Sequence, residues 1–486
     1  MTNLPTMFSK ILSEYIKSKN IKTNLLAQYC GVDRSNMYKL ISGKRNPGSE
    51  ELVHKMADYM RLTPTECREL VEAYRITVTG YETYYRRKTI QDFIGNFSGK
   101  MDDIADISSF FSNDLNPEQF SDNRSISGRT KLYHTIYTIM ALESQKEHGH
   151  IKLLFQPDSD DFMEILASIS KNKPNLKIDH IICLNNTDKI TSDKRDYNLC
   201  CLQKIIPMYY TCLCDYTPFC YYDSINSHNS NFNLLSSLVI TSEYTITFSP
   251  QLKYGILFIC KNTLQKFQSI FDDLKAETTP VVCKIDSVFT QFDYLDNLDI
   301  GEKTGYSYQM EPCLIPLIPL SFPEKYLSRA LPGRDQFVLS VKQYIRQKSE
   351  IVKTVSTHFM FTEAGVMHFL KTGRIFELPD AVYSPIEYSD RVLTVRTLVN
   401  ACKNEKYRML RPDTPVSLSS LCIYVTAHSG YLLFSSADGN LVYLNLEEPS
   451  LLFAFYDYLS TLNEDFFYPA DETVSRLLHL IKKNHA

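Results

Sequence analysis

Residues 23–42 read TNLLAQYCGVDRSNMYKLIS, and this stretch decides how the first part of the chain folds. A small residue, Ala27, stands where two crossing helices need one. Four positions later Gly31 supplies the freedom that a tight turn demands. Leu26, Cys30, Val32, Met37 and Leu40 fall at the apolar positions that would hold the pair together. Seven agreements in twenty residues predict two short helices joined by a turn, the helix-turn-helix unit that lays its second helix in a DNA major groove.

The flanks extend the pattern. Phe8, Ile11, Leu12, Tyr15 and Ile16 mark one face of a preceding helix. Gly43-Lys44-Arg45-Asn46-Pro47 is a basic turn closed by proline. Ser49 is placed to cap a fourth helix, whose stripe is Leu52, Val53, Met56, Ala57 and Met60. Thr63-Pro64-Thr65-Glu66 has the form of a capping box with proline at the first helical position, opening a fifth helix to about Tyr74.

On these residues, the stretch 8–75 resembles the lambda-repressor-like (Xre-type) helix-turn-helix family, about a seventh of the chain. The resemblance implies a five-helix bundle that binds double-stranded operator DNA, usually as a homodimer on a palindromic site. On the second helix of the motif, Met37, Leu40 and Ile41 point inward at about 100° per residue. Arg34, Ser35, Asn36 and Lys39 are the candidates for reading bases, since arginine can bridge guanine O6 and N7 and asparagine can pair with adenine. Thr23, Asn24, Tyr38, Ser42, Lys44 and Arg45 are the candidates for phosphate contact. Asp33 reads as a helix cap.

The charge distribution agrees. The chain has 486 residues and a net charge of −4, but residues 1–90 carry a net +6 and the remainder a net −10. A basic head on an acidic body suits a DNA-binding head whose body avoids DNA. The first residues lack the apolar run of a signal peptide, and no run of about 18 apolar residues suggests a membrane span. Thirteen cysteines without a secretion signal suggest reduced thiols. The expected location is the cytoplasm, with no membrane partner.

Beyond the head, residues 76–127 read as a helical extension and linker, with Tyr84-Tyr85-Arg86-Arg87-Lys88 as a basic and aromatic patch. From Gly128 strands alternate with helices, so the overall class is α+β multidomain. Four pairs of segments keep their order: Gly128–Leu132 with Gly333–Phe337, Ile151–Phe155 with Phe359–Phe361, Tyr244–Ser249 with Tyr431–Ser435, and Phe271–Leu274 with Tyr456–Leu459. They predict a duplicated α/β module, one copy over 128–277 and another in 333–486 with a C-terminal helix. Residues 278–332, including CLIPLIPLSFPEKY, would connect them.

One catalytic pattern comes close and fails. His150-Ile151-Lys152 followed by Asp158 resembles the HxKxxxxD element of the phospholipase D superfamily, which also uses a duplicated α/β module. The acid stands one position late, and the second copy has His358 but Met360 where lysine belongs. Without two histidines to act as nucleophile and acid, phosphodiester chemistry lacks its machinery. Cys200, Cys201, Cys212, Cys214 and Cys220 match no zinc spacing and read as buried strand cysteines. No catalytic residue, metal ligand or cofactor is expected. The expected function is a sequence-specific DNA-binding transcriptional regulator whose body dimerises or senses a small-molecule or peptide effector. The alternative is a degenerate phospholipase D-like or other effector protein with an autoregulatory head.

Overall fold

A computed structural model describes residues 5–97, 122–157, 160–186, 196–225, 235–285, 304–354, 357–412, 414, 421–435, 441–446 and 448–483. The chain divides into two units, Met1–Lys88 with Asp188–Asp196, and Thr89–Thr187 with Tyr197–Ala486.

The first unit is built from α1 (Met7–Ser18), α2 (Thr23–Tyr29), α3 (Arg34–Ile41), α4 (Glu50–Tyr59) and α5 (Pro64–Thr79), with the start of α6 (Tyr81–Asn96). Local chemistry sets most of these boundaries. The side chains of Thr6, Asp33, Ser49 and Thr63 each accept a backbone N–H in the first turn of α1, α3, α4 and α5. At Thr63 the bond is reciprocal, because Glu66 also accepts the Thr63 N–H at 2.7 Å. Phe8, Leu12, Leu26, Met37, Val53, Met56 and Leu70 are buried in one core drawn from all five helices. The fifth helix runs past the expected Tyr74 to Thr79, and Gly80, at φ +94°, ends it.

The second unit holds two mixed sheets. The first contains β1 (Arg124–Ser127), β2 (His150–Leu154), β3 (Lys177–Asn185), β4 (Asp215–Asp223), β5 (Ser237–Ile240), β6 (Thr245–Phe248), β7 (Tyr254–Phe258) and β8 (Thr279–Pro280). Its order is β1-β7-β6-β5-β2-β3-β4-β8. The second contains β9 (Val282–Ile285), β10 (Gly305–Tyr308), β11 (Thr357–Thr362), β12 (Tyr407–Leu410), β13 (Leu421–Val425), β14 (Gly430–Ser435) and β15 (Leu441–Leu446), in the order β12-β11-β10-β13-β14-β15-β9. Apart from β8, the two orders coincide. Each sheet has three parallel strands, then a three-stranded antiparallel meander, then the first strand of its set against the last strand of the meander.

This shared order corrects the boundaries read from sequence. The expected linker includes β1, and the expected connector 278–332 carries β8, β9 and the central strand β10. The Pro-rich stretch is not a tether. It folds into a 3-10 turn (Ile315–Leu317) and α11 (Phe322–Tyr326), with Leu314, Ile315, Ile318 and Phe322 buried. Pairing partners far along the chain make GYSY a strand, and four residues alone carry little signal of that. Two of the four matched segment pairs hold the same place in their sheets. Tyr244–Ser249 and Tyr431–Ser435 cover β6 and β14. Phe271–Leu274 and Tyr456–Leu459 lie in the helices after each meander, α10 (Lys261–Ala276) and α15 (Pro449–Ser460). The other two are one element out of step. Gly128 opens α7 (Arg129–Ser144), between the first and second strands, whereas Gly333 precedes α12 (Arg334–Thr354), between the second and third.

Helices cover both faces of each sheet. On the first sheet α7, α8 (Asp160–Ser170) and α9 (Tyr197–Thr211) bury residues in a cluster that also takes Leu432, Phe434 and Leu444 from the second sheet. Helix α9 holds Cys200 and Cys201, which were expected on strands. Helix α10 covers the opposite face of the first sheet through Phe271 and Phe267. The outer face of the second sheet is closed by α12, α13 (Glu363–Thr372), α14 (Tyr388–Cys402) and α16 (Ala470–Lys483). Among the described residues, no helix is long and apolar enough to cross a membrane.

Candidate nucleic-acid interface

The turn between α2 and α3 is made by backbone geometry that few residues allow. Gly31 sits at φ +64°, its N–H donating to Gln28 O (3.2 Å), and Val32 N–H donates to Ala27 O (2.9 Å). Ala27 is buried at the helix crossing. Asp33 then caps α3 by accepting the Ser35 N–H at 3.0 Å, as its position implied. Met37 and Leu40 face the core, which fixes the rotation of α3 and so decides what its other side presents.

That other side carries Arg34, Ser35, Tyr38, Lys39 and Ser42, all exposed, with Asn36 half-buried at its edge. The Arg34 guanidinium lies 5.7 Å from the centroid of the Tyr38 ring, one turn along the helix. Ser42 Oγ donates to Lys39 O (3.2 Å), so its hydroxyl proton is already engaged. Asn24 is exposed and Thr23 half-buried in the first turn of α2.

After α3 the chain turns through Gly43 at φ +74°. A Cβ there would lie 2.8 Å from Ser9 Oγ and 3.0 Å from the Thr6 nitrogen. The turn exposes Lys44 and Arg45, whose N–H groups both donate to Lys39 O (2.9 and 3.2 Å). It also brings Arg45 back to α3, where Nη1 donates to Asn36 Oδ1 at 3.2 Å. Asn36 and Arg45, assigned separately to bases and phosphate, thus form one hydrogen-bonded pair. Lys22, exposed immediately before α2, is a cation beside Thr23 and Asn24 that the sequence reading passed over. Its charge was visible, but its place beside the helix start depended on where α2 begins.

The basic and aromatic patch 84–88 is largely committed elsewhere. Tyr85 and Arg86 are buried, and Glu72 accepts from both Lys88 Nζ (3.0 Å) and Tyr84 OH (3.3 Å).

In the second unit, His150 and Lys152 project from β2 on the face that α10 covers, while Ile151 and Leu153 enter the large core on the other. His150 Nε2 and Lys275 Nζ both contact Asp179 Oδ2, at 3.0 and 2.8 Å. Burial pushes the Asp179 carboxyl up, but those two partners outweigh it and hold it at about 2. Lys152 Nζ is bound to Asp272 Oδ1 at 2.6 Å. His358 lies on β11, the middle parallel strand, whereas His150 lies on the strand next to the meander. The two histidines therefore hold non-equivalent places. Asp158 lies outside the described residues.

The cysteines expected on strands are divided among elements. Cys200 and Cys201 are on α9, Cys212 and Cys214 follow it, and Cys220 is on β4. Burial raises the Cys220 thiol, and hydrogen bonding to Cys212 together with burial raises that of Cys214. Among the described residues, no group of acidic, histidine and cysteine side chains could hold a metal ion.

No family model matches the chain, and no curated protein does. Among solved structures the chain is similar to a phosphatidylserine synthase of Haemophilus influenzae Rd KW20, at 10% identity over 76% of this chain and 95% of that one, with a TM-score of 0.20. At that TM-score the likeness carries no argument about function.

Proposed function

We propose that the chain is a sequence-specific DNA-binding transcriptional regulator of lambda-repressor type, acting in the cytoplasm through its helical head. One observation carries the reading. Helix α3 is locked to the core by Met37 and Leu40 and turns Arg34, Ser35, Tyr38 and Lys39 outward, with the cations Lys44 and Arg45 exposed just beyond. Arg34 and Lys39 would read base edges, with Ser35 and Asn36 beside them. Thr23, Asn24, Tyr38, Lys44 and Arg45 would meet the backbone. The two-sheet body would pair two copies and respond to an effector, so that a ligand favours one spacing of the two heads. Selection from a random double-stranded library by the full chain, followed by anisotropy titrations at several salt concentrations, tests this. A recovered motif with half-sites, and affinity falling linearly in log salt, is the expected result. Failure to enrich any sequence would sink the reading.

A second reading makes the body a duplicated, degenerate relative of the phospholipase D superfamily, with the head serving only autoregulation. The shared strand order of the two sheets favours the duplication. The ion pairs that engage His150 and Lys152 argue against phosphodiester chemistry. Turnover of bis(p-nitrophenyl) phosphate that His150→Ala abolishes would establish catalysis and displace the first reading of the body.

A further inference from the structure

Strand β12 is an edge strand, and the chain covers part of its open side. Leu410 bridges to Phe467, Tyr468 N–H donates to Met409 O (2.9 Å), and Arg411 N–H donates to Phe466 O (2.8 Å). This covering leaves a cavity of about 350 Å³, bounded by β12, the end of α14 and the first turn of α16. That volume is at the low end of the range of about 300–1,000 Å³ common for small-molecule sites. Its lining residues include Tyr407, Phe467 and Tyr468 and the cations Arg408 and Arg411.

The cations here are not equivalent. Arg408 lies over the Phe467 ring (3.8 Å to the centroid) and forms a two-bond pair with Glu464. Arg476, over one side of this region at 4.0 Å from the Tyr468 centroid, is paired with Glu472 and Glu363. Arg411 also sits over Tyr468, at 4.7 Å, and its Nε donates to Phe467 O (3.0 Å). Among the described residues, Arg411 has no acidic partner and its two terminal nitrogens have no acceptor. A half-buried guanidinium that lines a cavity, is held by Nε and has no acceptor for its two terminal nitrogens among the described residues matches a carboxylate in charge and in fork geometry. The exposed carboxylates Glu405 and Asp465 also line the cavity and would repel a ligand with several negative charges.

We propose that this cavity binds a small monocarboxylate, its carboxylate held by the two terminal nitrogens of Arg411. This goes beyond the DNA-binding reading. The measurement needs no DNA, so its failure leaves that reading standing.

Calorimetric titration of the full chain with benzoate, benzamide and inorganic phosphate tests the site. Benzoate should bind one to one, and benzamide at least about tenfold more weakly because it lacks the charge. Phosphate should also bind more weakly than benzoate. Arg411→Lys should weaken benzoate by about tenfold, since a point charge replaces the fork, and Arg411→Gln should abolish binding. Ala470→Leu leaves Arg411 intact and fills the cavity from α16, so it should abolish binding as well, with circular dichroism unchanged. No benzoate binding, phosphate or benzamide binding as tightly as benzoate, or binding that survives either abolishing variant would overturn the proposal.

Discussion

The side-chain amide of Asn198 joins the two sheet modules: its Nδ2 donates to Ser450 Oγ at 3.0 Å, from α9 of the first to the first turn of α15 in the second. The same amide pairs with Asn185 at the end of β3, accepting its N–H (2.8 Å) and donating to its carbonyl (3.2 Å). Ser450 Oγ in turn donates to Glu448 Oε2 at 2.6 Å, and Glu448, buried, caps α15 and also accepts from Tyr222 OH of β4. Asn198→Ala strips hydrogen-bond partners from the half-buried Asn185 backbone groups and from Ser450, and should cost about 1–3 kcal/mol. Urea unfolding midpoints of Asn198→Ala, Ser450→Ala and the double variant check it. Additive losses would show that the two side chains do not act together.

Arg34→Ala should relax preference at one base step and cost about 1–3 kcal/mol on the selected sequence, with little change on random DNA. Lys44→Ala should weaken both kinds of DNA alike and reduce the slope of log affinity against log salt by about one. Anisotropy on the two DNAs separates these outcomes. Equal losses on both for Arg34→Ala would remove it from base reading.

Two glycines of the head should respond differently to alanine. Gly31 has nothing within 4 Å of an added Cβ, so Gly31→Ala meets only the left-handed backbone penalty, about 1–2 kcal/mol. Gly43 has the same penalty and also a 2.8 Å approach to Ser9 Oγ. Gly43→Ala should therefore lose more stability and displace Lys44 and Arg45, lowering DNA affinity as well. Thermal melting of the head with a DNA titration checks the ranking, and the reverse order would refute it.

His180 predicts a pH dependence. It is fully buried, with Nε2 3.1 Å from Phe155 O and Nδ1 2.9 Å from Tyr216 OH, and desolvation lowers its pKa from 6.5 to about 4. The folded chain thus holds the neutral ring. Between about pH 6.5 and 4 the unfolded chain binds a proton that the folded chain refuses, so stability falls as pH drops through that window and this contribution levels off below it, at a loss of about 3 kcal/mol. Urea midpoints measured across the window should fall more steeply for the native chain than for His180→Gln. Parallel slopes would assign the change to other groups.

The head was largely legible because its information is local. Asp33, Ser49 and Thr63 cap the helices they precede, and each bond spans two or three residues. The outward face of α3 followed from the burial of Met37 and Leu40. The Asn36–Arg45 contact was not legible, since it depends on the path of the chain through Gly43. In the body, the alternation of strands with helices from Gly128 was visible, and Tyr244–Ser249 was matched to Tyr431–Ser435 in the same place of each sheet. Strand β10 was hidden in an assumed connector, and Gly128 was matched to Gly333 across an element, because similar turns open many helices.

The sequence by itself determined the five helices of the head, the turn at Gly31 and the residue types that α3 could present. Caps, turns and apolar spacing act within a few residues and leave their mark in order along the chain. Only the tertiary structure decided the strand order of the two sheets, the burial of the Pro-rich stretch, and the ion pairs that take up His150 and Lys152. It alone assembled the cavity at Arg411, where β12 meets residues more than fifty positions further on. Such pairings are chosen by long-range hydrogen bonding and packing, and a one-dimensional pattern does not encode which strand lies beside which.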